Sequence, residues 1–249
     1  MNNKVMYSVE NEVATIAINR PEVKNAIDKE THEELYEAFS TAKKDETVKV
    51  IVFTGSGDSF SSGADLKSIP TEELGTFDYG FYLDETYNRL LLLMEEIEKP
   101  IVAYINGMAV GAGLSLALAC DFRFADRNAS FALSFLKIGL VPDAGASYYL
   151  PRLVGLSKAL ELGTGVKIDV EKALQIGLIN GHGYPDTWIE QLTMAPLPAY
   201  GMMKRNMRRG FEDSLEEVLA YEVEGQREAG KSQAHQDALQ AFLQKSQKK

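Results

Sequence analysis

Short stretches of alternating apolar and polar residues open the chain and predict an antiparallel hairpin. Residues 5–9 and 13–18 alternate in this way, and the polar triplet between them, 10–12, is typical of a tight turn. A helix follows, with Asp28 as its candidate N-cap and apolar residues recurring every three or four positions. The β-branched run 48–54 then predicts a buried strand.

Strands and helices continue to alternate along the middle of the chain. The pattern predicts a long helix over 77–98, a buried strand over 101–105 and a short strand over 122–125. Between these strands, residues 108–120 are apolar nearly all round, which predicts a helix inside the protein. This order of elements indicates an α/β fold.

From about residue 142 onward the pattern is mostly helical. The apolar periodicity weakens over 184–198, where three prolines occur, at positions 185, 196 and 198. Helices are predicted beyond this stretch, over 198–209, 214–228 and 235–245. We therefore divide the chain into a core domain, 1–185, and a C-terminal helical lobe, 186–249.

Composition and charge narrow the classes of function. The 249 residues include 26 Lys and Arg against 36 Asp and Glu, a net charge of −10, and 45% are hydrophobic. Such a chain forms an ordinary core, and its acidity disfavours nucleic acid or an anionic membrane as partner. Cys120 is the single cysteine, which excludes an intrachain disulfide. The longest apolar stretch is too short for a bilayer, so we expect a cytoplasmic protein without a membrane partner.

The histidines do not indicate a metal site. His32, His182 and His235 are scattered, and no cysteine or acidic cluster accompanies them at ligand spacing, so we expect exposed or capping side chains. The chain also lacks a Gly-x-Ser-x-Gly elbow, a phosphate-binding loop and a dinucleotide fingerprint. Hydride transfer and P-loop phosphoryl transfer are therefore disfavoured.

Two glycine-containing turns and one aspartate are the candidates for chemistry. Residues 60–67 and 106–113 each follow a predicted strand and place backbone N–H groups in a loop or at a helix start. Paired amides of this kind can stabilise an oxyanion, although ordinary tight turns have the same composition. Asp143 follows Pro142 before a predicted helix, so it is either an N-cap or a carboxylate in an apolar pocket. Burial in such a pocket would raise its pKa toward a range useful for proton transfer.

Several motifs in one order resemble the crotonase family, the enoyl-CoA hydratase/isomerase superfamily. They are INRPEVKNA (18–26), SGADL (62–66), KPIVAYING (99–107), ACD (119–121) and KIGLVP (137–142). The resemblance covers about residues 5–180. It implies a spiral of ββα units followed by a C-terminal helical lobe that mediates homotrimers, often paired as hexamers.

The resemblance also implies a ligand and a binding site. Members of the family bind acyl-CoA thioesters and stabilise an enolate at the thioester carbonyl, and the two oxyanion donors match the backbone N–H groups of Ala64 and Ala112. The residues expected along the CoA are Val23, Lys24, Ala26, Ala64, Asp65, Leu66 and Lys67. CoA enters as part of the substrate, so no separate cofactor, nicotinamide or metal is expected.

Departures from the family pattern bear on the reaction. The two glutamates of typical hydratases match Ser115 and Phe135, and neither can act as a general base. Asp143 is the one carboxylate left at a family catalytic position, and its surroundings, KIGLVPD (137–143) and YLPRLVG (149–155), resemble ring-1,2-epoxyphenylacetyl-CoA isomerases. The resemblance thus implies an enoyl-CoA double-bond isomerase with Asp143 as proton shuttle. Another source of a carboxylate is the predicted helix 77–98, with Asp78, Asp84 or Glu85.

Other functions remain open at this point. One is an atypical enoyl-CoA hydratase, and another is a catalytically silent acyl-CoA-binding protein. A dehalogenase of the 4-chlorobenzoyl-CoA type is disfavoured, because no histidine occurs between Asp65 and Lys99. The acyl group is also undetermined, since the aromatic residues of the predicted long helix can either line an acyl pocket or pack in the core. They are Phe77, Tyr79, Phe81, Tyr82 and Tyr87.

Overall fold

The computed structural model describes residues 3–68 and 75–246. The chain divides into two compact units, Met1–Thr193, here the core unit, and Met194–Lys249, here the helical unit. The predicted boundary after residue 185 lies one helix before the boundary of these compact units, at Thr193. The division into a core domain and a C-terminal lobe stays a prediction.

Two sheets form the frame of the core unit. The larger has the strand order β1-β2-β3-β5-β7-β10 and the smaller has the order β4-β6-β8-β9. The strands are β1 (Val5–Glu10), β2 (Val13–Ile18), β3 (Val50–Gly55), β4 (Ser59–Ser61), β5 (Ile101–Ile105), β6 (Met108–Val110), β7 (Phe122–Ala125), β8 (Ser130–Ala132), β9 (Ile168–Asp169) and β10 (Gly181–His182). From β3 to β8, consecutive strands enter alternate sheets, and within each sheet these successive strands run parallel.

Helices separate the pairs of strands. Those of the core unit are α1 (Lys29–Lys44), α2 (Tyr79–Leu83), α3 (Arg89–Glu95), α4 (Ala112–Ala119), α5 (Ala146–Val154), α6 (Leu156–Gly163), α7 (Val170–Gln175) and α8 (Asp186–Thr193). The order β1-β2-α1, β3-β4-α2/α3, β5-β6-α4 and β7-β8-α5 is a spiral of ββα units. The α/β fold class is therefore confirmed.

The predicted hairpin and the first helix cap are also confirmed. Strands β1 and β2 pair antiparallel, and Asn11 and Glu12 turn the chain with φ of 49° and 67°. The Asp28 carboxylate accepts a hydrogen bond from the Thr31 amide and so caps α1.

Two predicted helices differ from the structure. Residues 108–110 are strand β6, paired with β4 and β8, and α4 begins only at Ala112, after Gly111 turns the chain with φ of 54°. A short apolar run does not distinguish a buried strand from a buried helix, which explains this error. The helix predicted over 77–98 is interrupted by a π-helical turn at Asp84–Asn88 between α2 and α3.

The helical unit matches its predicted elements. Its helices are α9 (Leu197–Arg209), α10 (Leu215–Ala229) and α11 (Gln233–Ser246). Ser214 and Glu217 form a reciprocal capping box at the start of α10. Among the described residues, no helix combines the length and apolarity needed to cross a bilayer.

His32 contradicts the expectation of an exposed or capping histidine. It lies on the buried face of α1 with 3% of its surface exposed. Its ring meets the Tyr87 ring edge-on at 4.0 Å between centroids, and neither ring nitrogen has a hydrogen-bond partner. Burial lowers the pKa of His32 to about 3, against an opposing effect of Asp28. The imidazole is therefore neutral in the folded protein.

This burial predicts a pH-dependent loss of stability. Because the unfolded chain takes up a proton on His32 below pH 6.5 and the folded chain does not, stability falls as pH decreases from 6.5 toward 3. We expect the wild type to lose about 2 kcal/mol more unfolding free energy between pH 8 and pH 5 than His32→Leu, measured by urea denaturation.

The control is His182→Leu, which removes an exposed imidazole and should keep the wild-type pH dependence. Equal losses in the wild type and His32→Leu would contradict the assignment.

Candidate active site

A cavity of about 450 Å³ opens in the core unit. Four stretches of chain line it: residues 62–68, 77–87, 110–112 and 134–143. Its wall is mainly apolar, with aromatic side chains contributed by Phe77, Tyr79, Tyr82, Tyr87 and Phe135. Phe81, in contrast, is 66% exposed and does not belong to the described lining. The other four line the cavity, and Tyr82 and Tyr87 also pack in or against the hydrophobic core, so each interpretation describes part of the set.

Two carboxylates supply the charged side chains of this lining within the described residues, and their surroundings differ. Asp65 pairs with Arg20, whose Nη2 lies 2.9 Å from Oδ2, and its backbone amide donates to the carbonyl of Ile27. Arg20 in turn donates from Nη1 to the carbonyl of Ala26. The charge of Asp65 is thus compensated, and the residue holds the 62–68 loop in place.

Asp143 has no such compensation. Its Oδ1 is buried without a hydrogen-bond partner, and the residue lines the cavity. Burial in these apolar surroundings raises the pKa of Asp143 to about 6. A carboxylate with this pKa is ionised near neutral pH and is a stronger base than an exposed aspartate.

Asp143 does not cap the following helix, so that interpretation is wrong. Ala144 and Gly145 both adopt positive φ, 48° and 78°, and α5 begins only at Ala146 with Gly145 as its N-cap. The two left-handed residues turn the chain before the helix starts. The Asp143 side chain is therefore separated from the helix end.

The two predicted oxyanion donors lie at the same cavity. Ala64 and Ala112 both line it, and neither amide donates a hydrogen bond to another group within the described part of the chain. Gly63, with φ of +91°, brings the two segments together: a Cβ there would lie 2.8 Å from the Val110 carbonyl oxygen and 3.3 Å from the Ala112 nitrogen. Only glycine fits such an approach. Because Ala112 is the first residue of α4, the partial positive charge of the helix end adds to its amide.

The segments expected to bind CoA are adjacent. Residues 23–27 run beside 62–66, with a parallel bridge between Ile27 and Ala64 and a hydrogen bond from the Ser62 amide to the Lys24 carbonyl. Ala64, Asp65 and Leu66 line the cavity. Val23, Lys24, Ala26 and Lys67 are not in its described lining. Their contact with CoA stays a prediction.

Lys24 is engaged with a neighbouring acid. Its Nζ lies 2.9 Å from each oxygen of Asp58, and both side chains are largely exposed. An exposed pair of this kind is weak. It leaves the ammonium able to exchange Asp58 for a phosphate.

The two positions that match the hydratase glutamates carry no acid. Ser115 is fully buried in α4, where its hydroxyl donates to the Gly111 carbonyl at 3.2 Å, and it is not in the described lining. Phe135 forms part of the apolar wall. Neither position supplies an acid, so Asp143 is the uncompensated carboxylate of the described lining.

Sequence reasoning named Tyr87 among the aromatic residues of the predicted long helix but did not predict its buried hydroxyl. Its side chain is 1% exposed, its hydroxyl has no hydrogen-bond partner, and it lines the cavity. The π-helical turn that carries it has no recognisable sequence pattern. Within residues 3–68 and 75–246, no group of three His, Cys, Asp or Glu side chains could hold a metal ion.

Comparisons with known proteins agree with this geometry. A family model described as "Enoyl-CoA hydratase/isomerase" matches residues 8–249. The chain is 32% identical over 250 residues to 1,2-epoxyphenylacetyl-CoA isomerase from Escherichia coli K12, covering 97% of this chain and 95% of the relative. It is also 32% identical over 256 residues to short-chain-enoyl-CoA hydratase from Clostridium acetobutylicum, covering 98% of this chain and 95% of that one.

A solved structure extends the match to three dimensions. The crystal structure of enoyl-CoA hydratase from Thermoplasma volcanium superimposes with a TM-score of 0.88 at 28% identity, covering 97% of this chain and 98% of that chain. The family match, the spiral of ββα units and the cavity with its two backbone amides lead to one conclusion. The chain belongs to the enoyl-CoA hydratase/isomerase family, the crotonase superfamily.

Proposed function

We propose that the protein is an enoyl-CoA isomerase in which Asp143 carries a proton between two carbons of the acyl chain. The observation that carries this proposal is a single uncompensated carboxylate in an apolar cavity, beside two backbone amides that have no acceptor in the described residues. The substrate is an acyl-CoA thioester, and no separate cofactor or metal takes part in the proposed steps.

The proposed reaction needs one base and one oxyanion site. The thioester oxygen accepts hydrogen bonds from the amides of Ala64 and Ala112, so negative charge that develops on it is stabilised. Ionised Asp143 removes a proton from one carbon of the unsaturated chain, which gives a dienolate. The protonated carboxyl group then returns the proton to the other end of the conjugated system, and the double bond has moved.

Hydration is the rival reaction within the family. It requires activation of water in addition to protonation of carbon, and the positions that match the two hydratase glutamates hold Ser115 and Phe135. One carboxylate is enough for a double-bond shift, which favours isomerase over hydratase. Parallel assays with hex-3-enoyl-CoA and crotonyl-CoA separate the two, since a hydratase forms a 3-hydroxyacyl-CoA from the second.

A catalytically silent acyl-CoA-binding protein is the alternative from another class. Such a protein would bind butyryl-CoA without exchanging its α-protons in deuterated water, whereas a base beside an oxyanion site exchanges them. The buried, uncompensated Asp143 favours exchange.

The aromatic wall bears on the acyl group. Phe77, Tyr79, Tyr82 and Phe135 face the cavity, and aromatic side chains pack well against planar groups. We therefore propose preference for a ring-bearing acyl chain, tested by comparing 6-phenylhex-3-enoyl-CoA, whose ring is not conjugated with the double bond that moves, with hex-3-enoyl-CoA as isomerase substrates.

Exposed apolar side chains in the helical unit support the expected assembly. They include Met207, Phe211, Leu215 and Leu219, each at least half exposed in the single chain. An apolar surface of this kind is typical of a subunit interface. We propose a homotrimer or a dimer of trimers, which light scattering after size-exclusion chromatography measures directly.

Replacing the proposed base should abolish turnover. In Asp143→Asn the side chain keeps its shape but cannot accept a proton, so we expect isomerisation to fall by about 10³-fold while the Kd of acyl-CoA changes little. The rate is followed by absorbance of the conjugated thioester and the affinity by calorimetry. Glu37→Gln, on the exposed face of α1, controls for loss of an acidic charge. A wild-type rate in Asp143→Asn would refute the assignment.

Replacing Gly63 should damage the oxyanion site. An added Cβ would collide with the Val110 carbonyl at 2.8 Å and displace the Ala64 or Ala112 amide, so we expect α-proton exchange in Gly63→Ala to fall by about 10²-fold or more. Gly183→Ala is the matched control, because Gly183 also has positive φ, +83°, but a Cβ there meets nothing within 4 Å. Both variants carry backbone strain, and only the first should lose exchange. Similar exchange rates in the two variants would contradict the role of the paired amides.

A further inference from the structure

A buried phenol group faces the cavity and has no part in the mechanism described so far. Tyr87 is 1% exposed, and its hydroxyl has no hydrogen-bond partner. A buried hydroxyl without a partner costs about 1–3 kcal/mol, so such a group indicates a partner gained in another state of the protein. Tyr87 lies in the π-helical turn Asp84–Asn88, and turns of this kind occur frequently at functional sites.

The helix that carries Tyr87 packs against the turn that carries Asp143. A Cβ at Gly145 would lie 3.3 Å from Cδ1 of Leu91, which is four residues after Tyr87 on the same helical stretch. Both Tyr87 and Asp143 line the cavity, and each has a buried oxygen without a partner, Oη and Oδ1. After burial and the neighbouring Tyr82, the negative charge of Asp143 is among the influences that raise the pKa of Tyr87.

The other ionisable groups nearby do not offer a better acceptor. His32 on α1 touches the Tyr87 ring edge-on, is neutral, and has no hydrogen bond to the hydroxyl. Burial, with the charges of Asp28 and Asp65, raises the pKa of Tyr82 to about 12, so its phenol is also uncharged. Asp65 is paired with Arg20, and Asp28 with Lys4. Asp143 is therefore the uncompensated carboxylate that lines the same cavity as Tyr87, and a charged acceptor gives the stronger hydrogen bond.

We propose that Tyr87 is the positioning residue of Asp143: its hydroxyl donates a hydrogen bond to Oδ1 of the ionised carboxylate and leaves Oδ2 directed at the acyl chain. The two groups are not hydrogen-bonded in the structure, and bonds of this kind often shorten only in the substrate complex. The hydrogen bond stabilises the ionised form of Asp143, keeps the carboxylate from rotating, and fixes which oxygen exchanges the proton. This inference rests on the proposed function in one respect: that Asp143 takes its proton from the acyl chain.

The test measures ionisation of Asp143 directly. Protein labelled with ¹³C at the aspartate carboxyl carbons is titrated by NMR with a saturated acyl-CoA bound, and the signal is assigned by its loss in Asp143→Asn. Tyr87→Phe removes only the hydroxyl, so we expect it to raise the pKa of Asp143 by about one unit, a tenfold change in the ionisation equilibrium. The acid limb of kcat, which reports the substrate complex, should move upward by the same amount, with an unchanged circular dichroism spectrum.

The matched control is Tyr7→Phe. Tyr7 on β1 also has a buried hydroxyl without a partner, and it is absent from the described lining of the cavity. This variant should leave the titration of Asp143 unchanged. An equal or lower pKa of Asp143 in Tyr87→Phe than in the wild type would overturn the proposal.

The two proposals fail separately. If Asp143→Asn isomerises at the wild-type rate, the proposed function fails, while the NMR titration still decides whether Tyr87 bonds to Asp143. If Asp143→Asn is inactive and Tyr87→Phe leaves the Asp143 titration unchanged, only the assignment of Tyr87 is wrong.

Discussion

The close approach of two backbone segments is the constraint on which the site depends. Strands β4 and β6 are neighbours in the smaller sheet, and the chain leaves each of them toward the cavity. The contact is so short that a Cβ at Gly63 would collide with the Val110 carbonyl, and one at Gly113 would lie 2.6 Å from Cβ of Ser61. Because both positions are glycine, the amides of Ala64 and Ala112 reach the same cavity without any side chain between them.

The two carboxylates of the cavity lining differ in how their negative charge is stabilised. Asp65 is buried next to Arg20, so its charge serves to hold the loop that carries Ala64. Asp143 is partly exposed, but its Oδ1 is buried, and its charge costs desolvation free energy that no ion pair among the described residues offsets. The first arrangement is structural, and the second keeps a basic group available for a ligand. The difference arises because Arg20 lies beside Asp65, with its Nη2 at 2.9 Å from Oδ2.

Sequence patterns correctly predicted the elements whose structure is determined by residues close in the sequence. The β1–β2 hairpin, the Asp28 cap and the helices of the C-terminal part follow from alternation, capping chemistry and helical spacing, and all are confirmed. The predictions were wrong where contacts with residues distant in the sequence determine the local structure. Residues 108–110 form a strand because β4 and β8 pair with them, and His32 is buried because Tyr82 and Tyr87 cover it. The sequence also left two environments open for Asp143, a helix cap or an apolar pocket. The outcome depends on Ala144 and Gly145, whose left-handed conformations separate Asp143 from α5. The family resemblance, rather than any physical pattern, identified Ala64 and Ala112.

The π-helical turn at Asp84–Asn88 has a consequence for how this scaffold can change. A π-turn holds one residue more than the α-helical turn it replaces, so deleting a single residue there would restore regular winding and leave the two flanking helices in nearly the same rotation. The change would be confined to the turn that carries Tyr87 and would reshape the cavity wall there, whereas Ala64 and Ala112 lie on other segments. One residue in this turn can therefore change the shape of the cavity without a change in the frame of ββα units.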